Sequence, residues 1–412
     1  MDHKDRAKLV GETHARPTLG IQGPCVVLQE AFLHTDGGHA ARTFVTQLCV
    51  SANASAPNQD DGDLHILTMP GLTLKWERHG EFSSWTRIYT QADITTSWQT
   101  ISGAHLPPGE RVSAARIEVV QSPASFTAHS GHEHASSLVS GGAAQLWTDL
   151  ALREDGFVGY VLETQFSGEA IMGPARLGRL VRRICEIETY RIFAMLAFPV
   201  ARDVRDDLNR LDTIVSGAFG ENAGTDAQVL TRLTDAAQEV EQILTRTDFR
   251  FGAGAAYRNL VETRIGELRE VRIDGQQRLG KFLDRRFAPA MDTVATTRGR
   301  LEALATRIER ACALLRTRVD LHLQQQNQEL LRSMDMRAQL QLRLQETVEG
   351  FSVIAISYYL VMLLSKIVHS FVEPLAERYR IPVGWIDGAL VVLVLGSVWL
   401  VLRGLRKKLT KG

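Results

Sequence analysis

Apolar residues are arranged in two ways along this chain. Toward the C-terminus they form near-continuous runs, Phe351–Val372 and Trp385–Leu402, whereas elsewhere they alternate with polar residues at strand or helix period. A helix rises about 1.5 Å per residue, so roughly 20 residues cross a bilayer core of about 30 Å. The two runs therefore predict a transmembrane hairpin. Lys366 and His369 lie near the far end of the first run and are expected to snorkel to the interface. Trp385 and Trp399 flank the second at headgroup depth.

Ahead of the hairpin, the first region reads as strand-rich. Cys25–Leu33 and Leu64–Met69 are β-branched or apolar runs, and in Leu72–His79 the residues Leu72, Leu74 and Trp76 alternate with Thr73, Lys75 and Glu77. Arg116–Val120 is a further strand, and Ala143–Trp147 and Phe157–Glu163 flank a Glu154–Gly156 turn as a hairpin. Ser51–Gly62 and Pro123–Gly142 read as polar loops. After Gly173 the pattern turns helical. Arg176–Phe198 is expected to stop at Pro199, with further helices over Ala201–Val215 and Thr225–Arg246. Between Tyr257 and Gly350 the scarcity of Gly and Pro predicts one or two very long helices, and Leu301, Leu304, Ile308, Ala311 and Leu315 keep the a/d spacing of a coiled-coil seam. The seam then turns polar at Arg318, His322 and Gln325.

The predicted fold class is therefore α+β. A mixed α/β domain with a strand-rich core occupies residues 1–170, and a helical bundle with a coiled-coil stalk follows over 174–349. The hairpin with its basic tail closes the chain over 350–412, with spans at about 351–372 and 385–402.

Charge sets the expected orientation. The connector Glu373–Pro382 has no excess of either sign, while Arg332, Arg337 and Arg343 precede the first span and Arg403, Arg406, Lys407, Lys408 and Lys411 follow the second. Both outer flanks are thus placed on the cytoplasmic side, and no N-terminal stretch resembles a signal peptide. The formal net charge of +0 argues against nucleic acid as a partner. Cys25, Cys49, Cys185 and Cys312 are scattered, without the pairing that zinc or redox chemistry needs.

Four clusters carry candidate chemistry. His14, Arg16, Glu77 and His79 supply the imidazole, guanidinium and carboxylate of an acid/base and anion-binding cleft, and Glu77 and His79 share one face of their strand. The plainer reading of that set is a solvated strand face beside a salt-bridged N-terminal loop. His129, His132 and His134 offer metal-ligand types, yet they lie in a loop without a second cluster, so no metal and no cofactor is expected. On the helix after Gly173, Glu188 and Arg191 fall within the apolar stripe of Leu177, Leu180, Val181, Ile184 and Met195. Charges so placed must pair, and a structural ion pair is preferred over a catalytic one. Finally Gln345, Ser352, Tyr359 and Lys366 recur at sevens, giving one polar face entering the membrane, read as helix–helix contact or as a pore lining. Gly388 and Gly396 are expected to let the second helix approach.

Several of these segments carry a family likeness. Glu12–Pro17 (ETHARP), Trp76–Phe82 (WERHGEF), Glu186–Arg191 (EIETYR) followed by Pro199, and Glu346–Tyr359 (ETVEGFSVIAISYY) resemble a bacterial family of predicted membrane-anchored proteins, domain of unknown function 3422 (DUF3422). The resemblance runs over almost the whole chain, in the same order. It implies a cytosolic body with a C-terminal hairpin anchor in the bacterial inner membrane, and no reaction, cofactor or catalytic residue.

Three functions are compatible with these patterns. The first, which is preferred, is a membrane-anchored interaction or scaffold protein that self-associates through its helical stalk. The second is an ion channel or transporter, similar in outline to the CorA-type magnesium channels. That family has a Gly-Met-Asn signature where Lys366–Pro374 here reads KIVHSFVEP. The third is a membrane-tethered enzyme using the His14, Arg16, Glu77 and His79 cleft.

Overall fold

The computed structural model describes residues 3, 6, 17–57, 63–90, 99, 101–102, 105–121, 133–164, 172–220, 223–379 and 383–409. The chain divides into two compact units, Met1–Leu315 and Arg316–Gly412.

The first unit is built on an eight-stranded sheet: β1 (Cys25–Leu33), β2 (Leu64–Met69), β3 (Leu72–Arg78), β4 (Phe82–Tyr89), β5 (Glu110–Val120), β6 (Ala135–Val139), β7 (Ala144–Leu152) and β8 (Val158–Thr164), in the order β2-β3-β4-β1-β5-β8-β7-β6. Each half sets one strand at the centre and adds a three-strand meander outward from it. The halves join through antiparallel β1 and β5, and β5/β8 is a parallel pair. The hairpin expected around Glu154–Gly156 is β7/β8.

Strand alternation sends two sets of side chains to opposite faces. On one, Leu28, Phe32, Leu72, Leu74, Trp76, Trp85 and Tyr89 pack with Ala41, Val45, Leu48 and Cys49 of helix α1 (His39–Ser51). Asp36 caps α1 by accepting the amides of Gly38 and Ala40 at 2.9 and 2.6 Å, and these two bonds hold its carboxyl below the usual range. On the other face, Val27, Ile88, Ala115, Ile117, Val119, Tyr160 and Leu162 meet Leu177, Leu180, Val181 and Ile184 of α2 (Pro174–Met195).

That second core continues into the helices beyond: α3 (Ala197–Asp203), α4 (Arg205–Gly217), α5 (Asp226–Leu268), α6 (Leu279–Arg286) and the start of α7 (Ala288–Tyr379). Sheet and helices share one apolar interior, and the first compact unit accordingly extends to Leu315. Leu301, Leu304, Ile308, Ala311 and Leu315 are all buried in it. The expected intermolecular seam is therefore an intramolecular core, reinforced by Arg307 and Arg300 of α7 on Asp212 of α4 at 2.7 and 3.1 Å.

Other differences from the sequence reading have local causes. Pro199 does not end a helix; it sits in the first turn of α3, where no backbone donor is needed. Thr225 closes a capping box with Gln228, but α5 continues to Leu268 instead of stopping at Arg246. The Pro123–Gly142 stretch contains β6, whose Ser136 and Ser137 are buried.

The second unit comprises the remainder of α7 and α8 (Val383–Leu409). Among the described residues, α7 contains one stretch long and apolar enough to cross a membrane, almost none of it buried. Gly388–Val401 is a shorter apolar stretch, so the expectation of two full spans is met by length and composition in α7 alone.

Because Leu301 is fully buried, Leu301→Ala is expected to lower the stability of the first unit by about 2–5 kcal/mol in urea unfolding. The loss should not depend on protein concentration, since the seam is closed within one chain.

Candidate functional site

The sheet face beneath α2 is not uniformly apolar. Lys75 and Glu77 of β3 point toward it, with Thr86 and Ser84 of β4 directly opposite them in register and Gln29 of β1 opposite Thr86. On α2, Arg182, Cys185, Glu186, Thr189 and Tyr190 lie three or four positions apart and so share a helix face. Between the two walls is a cavity of about 60 Å³ that opens to solvent, with Thr18, Leu19 and Ile21 at its rim. This rim is fixed where the Ile21 amide donates to the Pro174 carbonyl at 3.1 Å. It also runs against Gly178, where an added Cβ would overlap the Leu19 carbonyl oxygen.

The charges in the cavity are paired. Lys75 Nζ sits 2.9 Å from Glu77 Oε1, and the lysine side chain is only 5% exposed. Burial lowers the Lys75 pKa, and the Glu77 carboxylate opposes that shift. Arg182 Nε donates to Glu186 Oε1 at 2.7 Å, and Arg264 of α5 pairs with the other Glu186 oxygen. Arg264 and Arg183 both reach Glu267, at 3.0 and 2.9 Å, so alternating charges tie α2 to α5. His79 Nε2 lies 3.2 Å from Ser84 Oγ, and its ring stacks on Phe82 with centroids 4.3 Å apart. Burial pushes the Cys185 thiol up, which keeps it protonated and makes it a poor nucleophile.

Of the proposed cleft, Glu77 and His79 do line one cavity, while His14 and Arg16 lie outside the described residues. Lys75, Gln29, Thr86, Arg182 and Glu186 were not singled out from the sequence. Their signal was present: Lys75 shares the Glu77 face, and Glu186 and Tyr190 belong to the EIETYR segment with Arg182 one turn before it.

Glu188 and Arg191 are in contact, at 2.7 Å between Nη2 and Oε1, on a different side of α2. Glu188 is 1% exposed and also accepts the Tyr160 hydroxyl of β8 at 2.6 Å. His129 and His132 lie outside the described residues. His134 is half-buried, and the neighbouring Glu133 carboxylate is held by Arg286 at 3.3 Å. Among the described residues no group of three or more His, Cys, Asp or Glu is placed to hold a metal ion.

In the second unit Gln345, Ser352, Tyr359 and Lys366 are all exposed. Ser352 Oγ donates to its own helix at the Val348 carbonyl, 2.9 Å, and Gln345 Nε2 donates to Glu349 Oε1 at 3.2 Å. The least exposed stripe on this part of α7 is instead Val353, Ser357, Val361, Leu364 and Val368. Among the described residues, a Cβ added at Gly388 or Gly396 would meet nothing within 4 Å.

Fold and site together define a mixed α/β body with a charged cavity between sheet and helix, followed by exposed apolar helix. The chain belongs to the family described as Protein of unknown function (DUF3422), whose model matches residues 1–409. No curated protein matches it. No solved structure matches it either.

Three outcomes follow from this geometry. Arg191→Met strands a buried carboxylate and should destabilise the fold by about 3–5 kcal/mol, with Tyr160→Phe costing about 1.5–3 kcal/mol, both by chemical denaturation. Wild-type stability in Arg191→Met would count against a structural role for the pair. Gly178→Ala should dislodge the Thr18–Ile21 rim, detected as new protease cleavage there with the sheet core still protected.

Proposed function

We propose that this is a membrane-anchored protein that self-associates through α7 and displays its N-terminal body to the cytoplasm. The observation that carries the anchor is exposed apolar surface. Phe351, Ile354, Tyr358, Leu363, Trp385, Val392, Leu393, Trp399 and Leu400 are each more than half exposed, an arrangement that lipid relieves and water does not. Leu390, Val394 and Val398 form a less exposed stripe on α8, at the same i, i+4, i+8 spacing as Val353, Ser357 and Val361 on α7. We read these stripes as the mutual face of a hairpin, with the basic flanks holding both ends on the cytoplasmic side of a bacterial inner membrane.

A second copy of the chain is the partner that best fits the cytoplasmic part of α7 beyond Leu315. There Leu323, Leu330, Met334, Leu344, Val348 and Phe351 are exposed and fall in one heptad frame. In that frame Leu323, Leu330, Leu344 and Phe351 stand at d and Met334 and Val348 at a, while Arg337 at d and Asn327 and Gln341 at a interrupt the apolar seam, a pattern we read as a two-stranded coil whose register is set by its polar positions. Gln345, Ser352, Tyr359 and Lys366 then lie beside this seam, as its polar rim.

A cytoplasmic body is supported if protease digests it in inverted but not in right-side-out vesicles; the opposite pattern sinks the orientation. For association, Leu330→Cys should give disulfide-linked dimers in native membranes, whereas Arg332→Cys, off the seam, should not. A purely monomeric protein in both membranes and detergent would rule the coil out.

A further inference from the structure

The cavity under α2 holds more hydrogen-bonding capacity than the chain itself uses. Lys75 is an ammonium with three N–H donors, and Glu77 is its one ion-pair partner among the described residues. Arg182 approaches from the opposite wall, near enough for its charge to bear on Lys75. Thr189 is 4% exposed, lines the same space, and its hydroxyl has no hydrogen-bond partner among the described residues. Helical threonines elsewhere in the chain bond the carbonyl four residues back, as Thr247 does to Ile243 at 2.8 Å. Thr189 instead leaves a desolvated hydroxyl beside the cavity, a cost that a bound polar group removes.

Size narrows the occupant. A cavity of about 60 Å³ is small and favours a compact ligand of few heavy atoms. Charge narrows it further. Two cations from opposite walls accept a carboxylate between them, while Glu77 and Glu186 repel a bare anion and call for a donor on the same molecule. Ile21, Ile88 and Val181 complete the lining with apolar surface for a short carbon skeleton.

We propose that this cavity binds a two- or three-carbon α-hydroxy or α-amino carboxylate. Its carboxylate lies between Lys75 and Arg182 and accepts the Thr189 hydroxyl, and its hydroxyl or amino group donates to Glu77 or Glu186. This assignment rests on the cavity alone and is independent of the membrane reading.

The test is calorimetric titration of the full-length protein in detergent micelles with glycolate and with glycine, each against its neutral amide, glycolamide or glycinamide. Saturable binding of at least one acid, with its amide inert, is the expected result, and which acid binds decides between hydroxyl and amine. Thr189→Val should weaken that binding about tenfold without lowering the melting temperature, and Thr189→Ser should restore it. Lys75→Met should abolish it; should that variant fail to fold, the Thr189 pair still decides. No saturable binding of either acid at tens of millimolar would mean a water-filled cavity and overturn the assignment. Equal affinity in wild type and Thr189→Val, or equal affinity for acid and amide, would overturn it as well.

Discussion

Packing of α2 across the centre of the sheet positions everything else in the first unit. Its apolar stripe, Leu177, Leu180, Val181 and Ile184, closes the face formed by β1, β5 and β8. Removing such side chains from water is worth about 25 cal/mol per Å² of apolar surface, which makes this contact the main source of cohesion between sheet and helices. The same helix carries charge on either side of the stripe. Glu188 is desolvated and must be held by both Tyr160 and Arg191, whereas Glu186 is shared between Arg182 and Arg264. The first set fixes how α2 lies on β8, and the second fixes how α5 lies on α2. A lone charge at either place would be strongly unfavourable, so docking angle and ion pairing are specified together.

The cavity exists because that cover is incomplete. Over the β3–β4 side of the face the sheet presents Lys75, Glu77, Ser84 and Thr86, and α2 answers with Arg182, Glu186 and Thr189 in place of leucines. Most of these groups satisfy one another across short distances. Thr189 has no such partner among the described residues, and on that one hydroxyl rests the proposal that the cavity takes a ligand and is more than a polar seam fastening two elements.

The sequence disclosed elements more readily than partners. Cys25–Leu33 and Leu64–Met69 end where expected, because turn residues bound them on both sides. Helix α1 was passed over although Ala41, Val45, Leu48 and Cys49 have helical spacing; polar residues crowd between them. β6 was hidden because serines in a strand look like loop until their hydroxyls are seen to be used, as Ser137 is by Glu270. For Leu301–Leu315 the spacing was right and the partner was not. Periodicity reports that a face is buried, and the burying surface here belongs to the same chain. In β3 the alternation allowed two readings of Glu77, a solvated face or a polar cleft; the strand is covered on both sides, and Lys75 and Glu77 line the cavity.

One edge of the sheet is closed by the chain itself. Val271 pairs with Leu138 on β6, the Ser136 amide donates to Gln277, and Glu270 anchors this short segment by accepting the amides of Leu279 and Gly280 at the start of α6. A bare strand edge is a template on which other chains aggregate. Here the outer side of β6 is occupied from within, and a helix terminus locks the occupant in place. Among the described residues, β2 forms the opposite edge of the sheet. Blocking one of two sheet edges interrupts the run-on pairing that open sheets otherwise permit.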